Sequence, residues 1–310
     1  VNEYSSVANY KNNRNCVVTI GTFDGVHIGH KAILNRLVKT AQKEDLDSVL
    51  LTFFPHPRMV LQNDLEIKLI NTIDERTSLI QKTGIDHLII HPFTHAFSRL
   101  TALEFVRDIL VNKLHIKKIV IGYDHRFGRN RNADINDLKE FGITYGFEVE
   151  EISAQELDDV AVSSTKIRKA LEAGDIETAN AYLGYLFMLS GTIVKGKAIG
   201  RTIQYPTANL QIKENYKLIP KPGVYVVQAK INSNTIFGIT SIGTNPTVGG
   251  KEKTIETYFL DFKQDLYSEN LKIEFLTRIR DEVKFVSIKK LKEAIKQDEN
   301  FARDYLTIRG

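Results

Sequence analysis

The stretch CVVTIGTFDGVHIGH, residues 16–30, decides how this chain folds. Its β-branched apolar start predicts a strand and its Gly-containing middle a tight turn. The amphipathic run that follows (Ile33, Leu34, Leu37, Val38, Ala41) predicts a helix. In that order the helix start brings unpaired N–H groups and the positive end of the helix dipole to the turn, where a phosphate gains donors and field together. His27 and His30, three apart, share one helix face, and Gly29 between them has no side chain to hold a phosphate off the backbone. The same residues also describe a plain strand-to-helix turn with two surface histidines. Placement directly after a strand and before an amphipathic run favours phosphate.

Outward from this unit, short β-rich runs alternate with helical patterns to about residue 155: SVLLTFF, DHLIIHPF, KKIVIGY and FEVEEIS, separated by stretches such as TALEFVRDILVNKL. That alternation predicts a doubly wound α/β domain with a parallel sheet. Ligands of such sheets bind outside the carboxyl ends of the strands, where GTFDG, FFPHPR and GYDHRFGRNR are expected to converge. The segment SSTKIRKALEAGDIETANAYLGYL reads as helical, with a Gly-Asp break, and is expected to close this first domain, residues 1–185. From 186 to 310 the texture changes to six strand-like runs between Gly or Pro turns, GTIVKG, TANLQI, GVYVVQAKI, NTIFGITSIGT, TIETYFLDF and LKIEFLTRI. They predict a small antiparallel β-barrel, and SIKKLKEAIKQDENFARDYL a C-terminal helix packed on it.

Composition narrows the class. The chain has 310 residues, 42% hydrophobic and 26% charged, enough for two cored domains. No apolar run is long enough to span a membrane, and the first residues lack the apolar centre of a secretory signal, so a cytoplasmic protein without membrane contact is expected. The single thiol, Cys16, begins an apolar strand and reads as a core residue, which leaves no disulfide, no Cys-based zinc site and no redox pair. The net charge of +4 is mild. Basic clusters at Arg126, Arg129 and Arg131 and at Lys195, Lys197 and Arg201 stand beside Gly-rich turns without interleaved aromatics, which favours nucleotide phosphates over nucleic acid.

The string GTFDGVHIGH resembles the adenylyltransferase half of the bacterial bifunctional riboflavin kinase/FMN adenylyltransferases, and the resemblance continues across nearly the whole chain. It implies an N-terminal centre that joins the AMP part of ATP to FMN, releasing pyrophosphate. There His27 and His30 would hold the triphosphate as charge builds on its α-phosphate, and Gly21, Phe23 and Asp24 would lie on the ATP side. SSTKIR, with Ser163, Ser164 and Thr165 at a helix start and Lys166 and Arg168 just inside, also reads as an N-cap with a basic first turn. The resemblance makes it a second phosphate element. GYDHRFG matches the adenosine side through Asp124 and Arg126, although His125 stands where the family usually has Phe. TFFPHPR matches the flavin side, with Phe54, Pro55, His56 and Pro57 as a stiff apolar wall.

In the second half, GTIVKGKAIGRTIQYPTANL resembles the riboflavin kinase signature. Gly191, Gly196 and Gly200 would allow close turns around ATP phosphates, Lys197 and Arg201 would supply charge, and Thr207 and Asn209 would offer two hard oxygens to Mg²⁺ shared with ATP. Glu256, in IETYFLDF, matches the family's catalytic carboxylate, and its alternation with apolar neighbours is compatible with a side chain entering a barrel mouth. Leu276, Arg278, Arg280 and Phe285 match the flavin-contacting end of the barrel. Gln204 and Ser268 occupy positions where the family commonly has Gly, so a positive φ at Gln204 would be strained, with altered loop order expected and activity kept.

The resemblance therefore implies ATP, riboflavin, FMN and FAD as small-molecule substrates or products, Mg²⁺ as cofactor, and a monomer or weak homo-oligomer. Two other readings stand beside it. One keeps only the kinase and reduces the first domain to a nucleotide- or flavin-binding regulator, which His27, His30 and SSTKIR argue against. The other is a non-catalytic flavin- or RNA-binding regulator, which Thr207, Asn209 and Glu256 argue against.

Overall fold

A computed structural model describes residues 1–61, 67–122, 125–153, 162–196, 200, 204–247 and 250–309. By contacts the chain divides into two compact units, Val1–Ser164 and Thr165–Gly310.

The first unit is built on a six-stranded, all-parallel sheet in the order β1-β4-β3-β2-β5-β6. Its strands are β1 (Asn2–Tyr4), β2 (Cys16–Ile20), β3 (Asp47–Phe53), β4 (His87–His91), β5 (Ile116–Gly122) and β6 (Glu148–Ile152). β2 is buried along its whole length, as a central parallel strand covered on both faces must be, whereas the edge strand β6 keeps Glu148 and Glu151 in solvent. The sequence runs name β2 to β6 but not β1, whose three residues pair with the start of β4. Strand order reverses between β2 and β5, so the segments after these two strands flank the switch point at which doubly wound sheets bind ligands.

Helix α1 (Ile28–Glu44) buries Leu34, Leu37 and Ala41 and stops at Asp45, whose φ of 52° is left-handed. Helix α2 (Ile73–Gln81) opens with a complete capping box between Thr72 and Glu75. TALEFVRDILVNKL is helical as expected, but from Phe105 to Val111 it widens into a π-helix. Helix α3 (Ile135–Tyr145) precedes β6.

The second unit opens with helices α4 (Ser164–Ala173) and α5 (Ile176–Leu183), broken at Gly174 (φ 83°) and restarted by an Asp175 cap. This pair is tied to the barrel: Lys221 N–H donates to Leu171 O, and Asn180 Nδ2 donates to Phe275 O at 2.9 Å. Six strands close the antiparallel barrel in the order β10-β11-β8-β7-β12-β9. They are β7 (Met188–Val194), β8 (Ala208–Gln211), β9 (Gly223–Ile231), β10 (Asn234–Thr247), β11 (Gly250–Phe259) and β12 (Asn270–Arg280), one for each predicted run. Helix α6 (Ile288–Arg309) seats Ala302 among Val224, Val226, Ile239, Leu260 and Leu276. A bidentate Arg280–Asp298 pair adds a fixed polar contact. Among the described residues no helix is long and apolar enough to cross a membrane.

Candidate functional site

The first candidate site lies at the carboxyl ends of β2 and β3. After Ile20 the chain turns through three residues in the left-handed region, Phe23 (φ 49°), Gly25 (φ 89°) and Val26 (φ 37°). His27 then caps α1 from just outside it, its Nδ1 accepting from His30 N–H at 3.3 Å. The two imidazoles stack with centroids 3.6 Å apart, and Phe23 packs on His30 at 4.8 Å. Gly29 makes this possible in a way that spacing alone does not reveal: a Cβ there would crowd His27 Nδ1 at 3.3 Å, so the missing side chain makes room for the imidazole.

The capping bond uses the Nδ1 lone pair, so a neutral His27 carries its proton on Nε2 and presents a donor there. Burial lowers the His27 pKa to about 4, partly opposed by Asp24. His30 is held well below the usual imidazole range by burial, then by His27 and by the Arg76 charge. At neutral pH the pair therefore enters the site as neutral donors rather than cations.

The remaining predicted residues of this site divide into two groups. Asp24 is buried, and its carboxylate accepts from the Ile70 and Asn71 N–H groups at 3.0 and 3.3 Å, while Ser164 Oγ donates to its carbonyl at 2.8 Å. Gly21 stands beneath Phe23, whose ring a Cβ would meet at 2.9 Å. In the flavin-side loop, Phe54 and Pro57 are half-buried, Pro55 is exposed, and His56 is buried with Nδ1 accepting from Arg58 N–H. The other group belongs to later segments of the chain. Arg126 is exposed, and His125 lies parallel to Phe127 at 6.2 Å, which keeps an aromatic stack where the family's Phe is replaced. Ser163 is exposed; Thr165, Lys166 and Arg168 belong to the second compact unit. Asp124 lies outside the described residues.

A residue that the sequence reading missed is Arg76. Only 2% exposed, it donates to the carbonyls of Thr22, in the loop after β2, and Phe53, the last residue of β3. The Thr72-x-x-Glu75 capping box was readable as a helix start, but nothing in the pattern marks the next arginine as internal.

The second candidate site is on the barrel. β8 and β11 pair with Asn209 opposite Glu256, and Thr207 Oγ1 donates to Glu256 Oε2 at 3.1 Å, so the three predicted residues do converge. Strand alternation buries Ile255, Thr257 and Phe259 and puts Glu256 on the other face. Glu256 thus lies on the face opposite the packed interior, beside Thr207 and Asn209. Thr207 and Asn209 also line a cavity of about 730 Å³ with Gly196, Lys195, Phe259, Phe262 and Tyr267. The Lys195 ammonium lies 4.9 Å above the Tyr267 ring. A Cβ on Gly196 would fall 2.3 Å from Asn209 Nδ2, so this glycine lets the amide sit in the turn. Gly191 and Gly200 instead lie against backbone, where a Cβ would meet Gln211 O and Tyr205 O. Lys197 and Arg201 lie outside the described residues.

Leu276 is buried on β12. Arg278 donates to Pro222 O at 3.0 Å and to Asp281 at 2.7 Å, Arg280 grips Asp298, and the Arg280 guanidinium lies 5.7 Å over the half-buried Phe285. Both arginines therefore tie loops and α6 to the end of β12. Among the described residues no three His, Cys, Asp or Glu side chains gather to cage a metal. The hydroxyl of Thr207 and the amide oxygen of Asn209 nonetheless fit Mg²⁺, which takes hard oxygens, keeps several waters and is commonly shared with nucleotide phosphates.

Two separate constructions on one chain, a strand-turn-helix with an HxGH cap and a barrel with paired Thr, Asn and Glu, have the form of a two-centre nucleotide-dependent transferase. A family model described as FAD synthetase matches residues 9–166, and one described as riboflavin kinase matches residues 183–306. The bifunctional riboflavin kinase/FMN adenylyltransferase of Buchnera aphidicola (from Acyrthosiphon pisum) is 39% identical over 96% of this chain and 95% of its own. Those of Listeria monocytogenes and Escherichia coli K12 are 36% and 35% identical, each over 94% of this chain and 92% of theirs. A solved structure from Streptococcus pneumoniae, described as a macrolide-efflux protein, is 34% identical with TM-score 0.88, covering 97% of this chain and 98% of that one. The chain belongs to the bifunctional riboflavin kinase/FMN adenylyltransferase family.

Proposed function

We propose that the chain makes FMN from riboflavin and ATP on the barrel, and FAD from FMN and ATP on the parallel-sheet unit. The observation that carries this reading is that each compact unit has its own family match and its own phosphate construction.

In the kinase step the ribityl 5′-hydroxyl oxygen attacks the γ-phosphorus of ATP, the bond to the β-phosphate oxygen breaks, and ADP leaves. Glu256 takes the hydroxyl proton, and the Thr207 bond fixes its carboxylate orientation. Thr207 and Asn209 would hold Mg²⁺, which when bound offsets charge on the ATP phosphates. The cavity bounded by Gly196, Phe259, Phe262 and Tyr267 offers apolar and aromatic surface to the nucleotide. Leu276, Arg278, Arg280 and Phe285 form the flavin-side end.

In the adenylyl step an FMN phosphate oxygen attacks the α-phosphorus and pyrophosphate leaves, so no proton transfer is needed. Neutral His27 and His30 donate to the triphosphate as charge builds on it, alongside the α1 N-terminus. Gly21, Phe23, Asp24, Asp124, Arg126, Ser163, Ser164, Thr165 and Arg168 make up the rest of the ATP side, and Phe54 to Pro57 the flavin side. The boundary between the two activities falls at 185/186, close to residue 183 where the riboflavin kinase match begins, even though α4 and α5 pack with the barrel. The protein acts in the cytoplasm on small molecules, without nucleic acid or membrane, as a monomer or weak homo-oligomer.

A chromatographic time course of the protein with riboflavin, ATP and Mg²⁺ tests the reading. FMN rising and then giving way to FAD is expected; FMN alone would remove the adenylyl step, and neither product would remove both.

A further inference from the structure

We infer that Arg76 is a positioning residue for adenylyl transfer, holding the β2–α1 loop, and through it His27 and His30, in the geometry that receives the triphosphate. The inference rests on the assignment of that transfer to the parallel-sheet unit.

The loop needs to be held. Phe23 and Val26 lie at positive φ, and a β-branched residue there persists only where surrounding contacts over-determine it. Segment 70–76 supplies contacts at two levels. The Ile70 and Asn71 N–H groups donate to the Asp24 carboxylate, and six residues on from Ile70 the Arg76 guanidinium donates to Thr22 O and, at 3.1 Å, to Phe53 O. Thr22 O also accepts from Thr52 Oγ1 at 3.2 Å, so one carbonyl ties the β2–α1 loop to β3 and α2. The Thr72–Glu75 capping box fixes the helix start immediately before the arginine.

From Thr22 the contact path is short. Phe23 follows in the chain, its ring packs on His30, and His30 stacks on His27. A planar fork that spans two carbonyls is needed at the head of this path, and an ammonium cannot reproduce it. Arg76 also sets charge. The titratable and charged groups facing His30 are His27, stacked on it, and Arg76 from α2; Asp24 acts on His27. The buried guanidinium thus favours the neutral form of His30 while placing positive potential beside a site for an anion.

The test uses the full-length protein with Arg76→Gln and Arg76→Lys. Three readouts are taken: steady-state FAD formation from supplied FMN, riboflavin phosphorylation, and the NMR titration of His30 in ligand-free protein with labelled histidine. Arg76→Gln is expected to lower kcat for FAD formation about 100-fold, the scale of a small misplacement of reacting groups, with KM for ATP changing less than kcat. Riboflavin phosphorylation should stay at the wild-type rate, and His30 should titrate at higher pH. Arg76→Lys, which keeps the charge and loses the fork, should leave the His30 titration where it was and still depress kcat.

Wild-type FAD formation in Arg76→Gln would overturn the inference, as would a kcat loss with the His30 titration unmoved, which marks an ordinary core residue. If Arg76→Gln unfolds the first unit, Arg76→Lys decides: full kcat there shows that the fork positions nothing. Failure of the wild-type protein to make FAD would overturn the underlying assignment instead.

Discussion

All eight histidines of the chain lie in the parallel-sheet unit and none in the barrel, although both units are assigned to hold ATP phosphates. The first candidate site offers backbone and neutral imidazole: a strained loop, a helix start and two stacked rings kept uncharged by burial. The second offers oxygen: Thr207, Asn209 and Glu256, set by the pairing of β8 with β11 and a hydroxyl–carboxylate bond. A loop site needs outside bracing before its donors are aligned, whereas a strand site inherits alignment from the ladder. The difference also matches the chemistry. Adenylyl transfer from FMN phosphate has no proton to remove, and phosphorylation of an alcohol does.

The largest expected effect tests whether the two centres are separate. Glu256→Gln removes the proposed proton acceptor but keeps the shape, so riboflavin phosphorylation should fall about 100-fold to 10,000-fold. FAD formation from supplied FMN should stay near the wild-type rate. Equal loss of both activities in parallel assays would break the comparison.

Next in size is His27→Asn. Asparagine is a good N-cap and can still accept from the His30 N–H, so helix α1 should be retained while the imidazole Nε2 donor is lost. FAD formation should fall about 100-fold to 1,000-fold, the range for removing one transition-state donor, with riboflavin phosphorylation untouched. Wild-type FAD formation in this variant would mean that His27 only caps.

Stability should separate the units as well. The His27 pKa is about 4 in the folded protein against an ordinary 6.5. As pH falls, the unfolded chain binds the proton first. The stability that the neutral form contributes is complete above pH 6.5 and is lost between about 6.5 and 4, by about 3 kcal/mol from this group. His30, displaced in the same direction, adds to the loss. The barrel has no histidine to titrate in that window. Calorimetry across pH 4 to 7 should therefore show a pH-sensitive transition belonging to the first unit, diminished in His27→Asn. The same acid sensitivity in both units, unchanged in the variant, would count against buried neutral imidazoles.

Much of this was legible in the sequence, for physical reasons. Long apolar runs such as CVVTI and SVLLTF are strands whatever surrounds them, and six β-rich runs between Gly and Pro turns became six barrel strands. β1 was not legible, because Asn2–Tyr4 owes its pairing to the exposed edge of β4 rather than to its own pattern. Glu256, Thr207 and Asn209 could be named but not faced; only the register shows that the carboxylate leaves β11 away from the interior. Arg76 and the His27 cap depend on carbonyls and amides that meet only in the folded loop.

The smallest expected effect concerns backbone strain on the barrel side. Gln204 and Ser268 replace glycines common in the family, and both adopt left-handed backbone, φ 69° and 66°. Neither is compensated by burial, since both are exposed. Gln204 gains one exposed contact from Lys292 Nζ at 3.3 Å, and the Ser268 N–H bond to Ile193 O is one that glycine would keep. A left-handed non-glycine residue costs about 1–2 kcal/mol, and glycine's greater freedom in the unfolded chain gives part of that back. Gln204→Gly and Ser268→Gly should therefore each stabilise the barrel by up to about 1 kcal/mol, raising its melting transition by a few degrees without changing the kinase rate. If Gln204→Gly instead lowers the kinase rate while raising stability, the strained turn at 204 is part of how the barrel site holds its nucleotide, and the contrast between a strained loop site and a relaxed strand site would have to be redrawn.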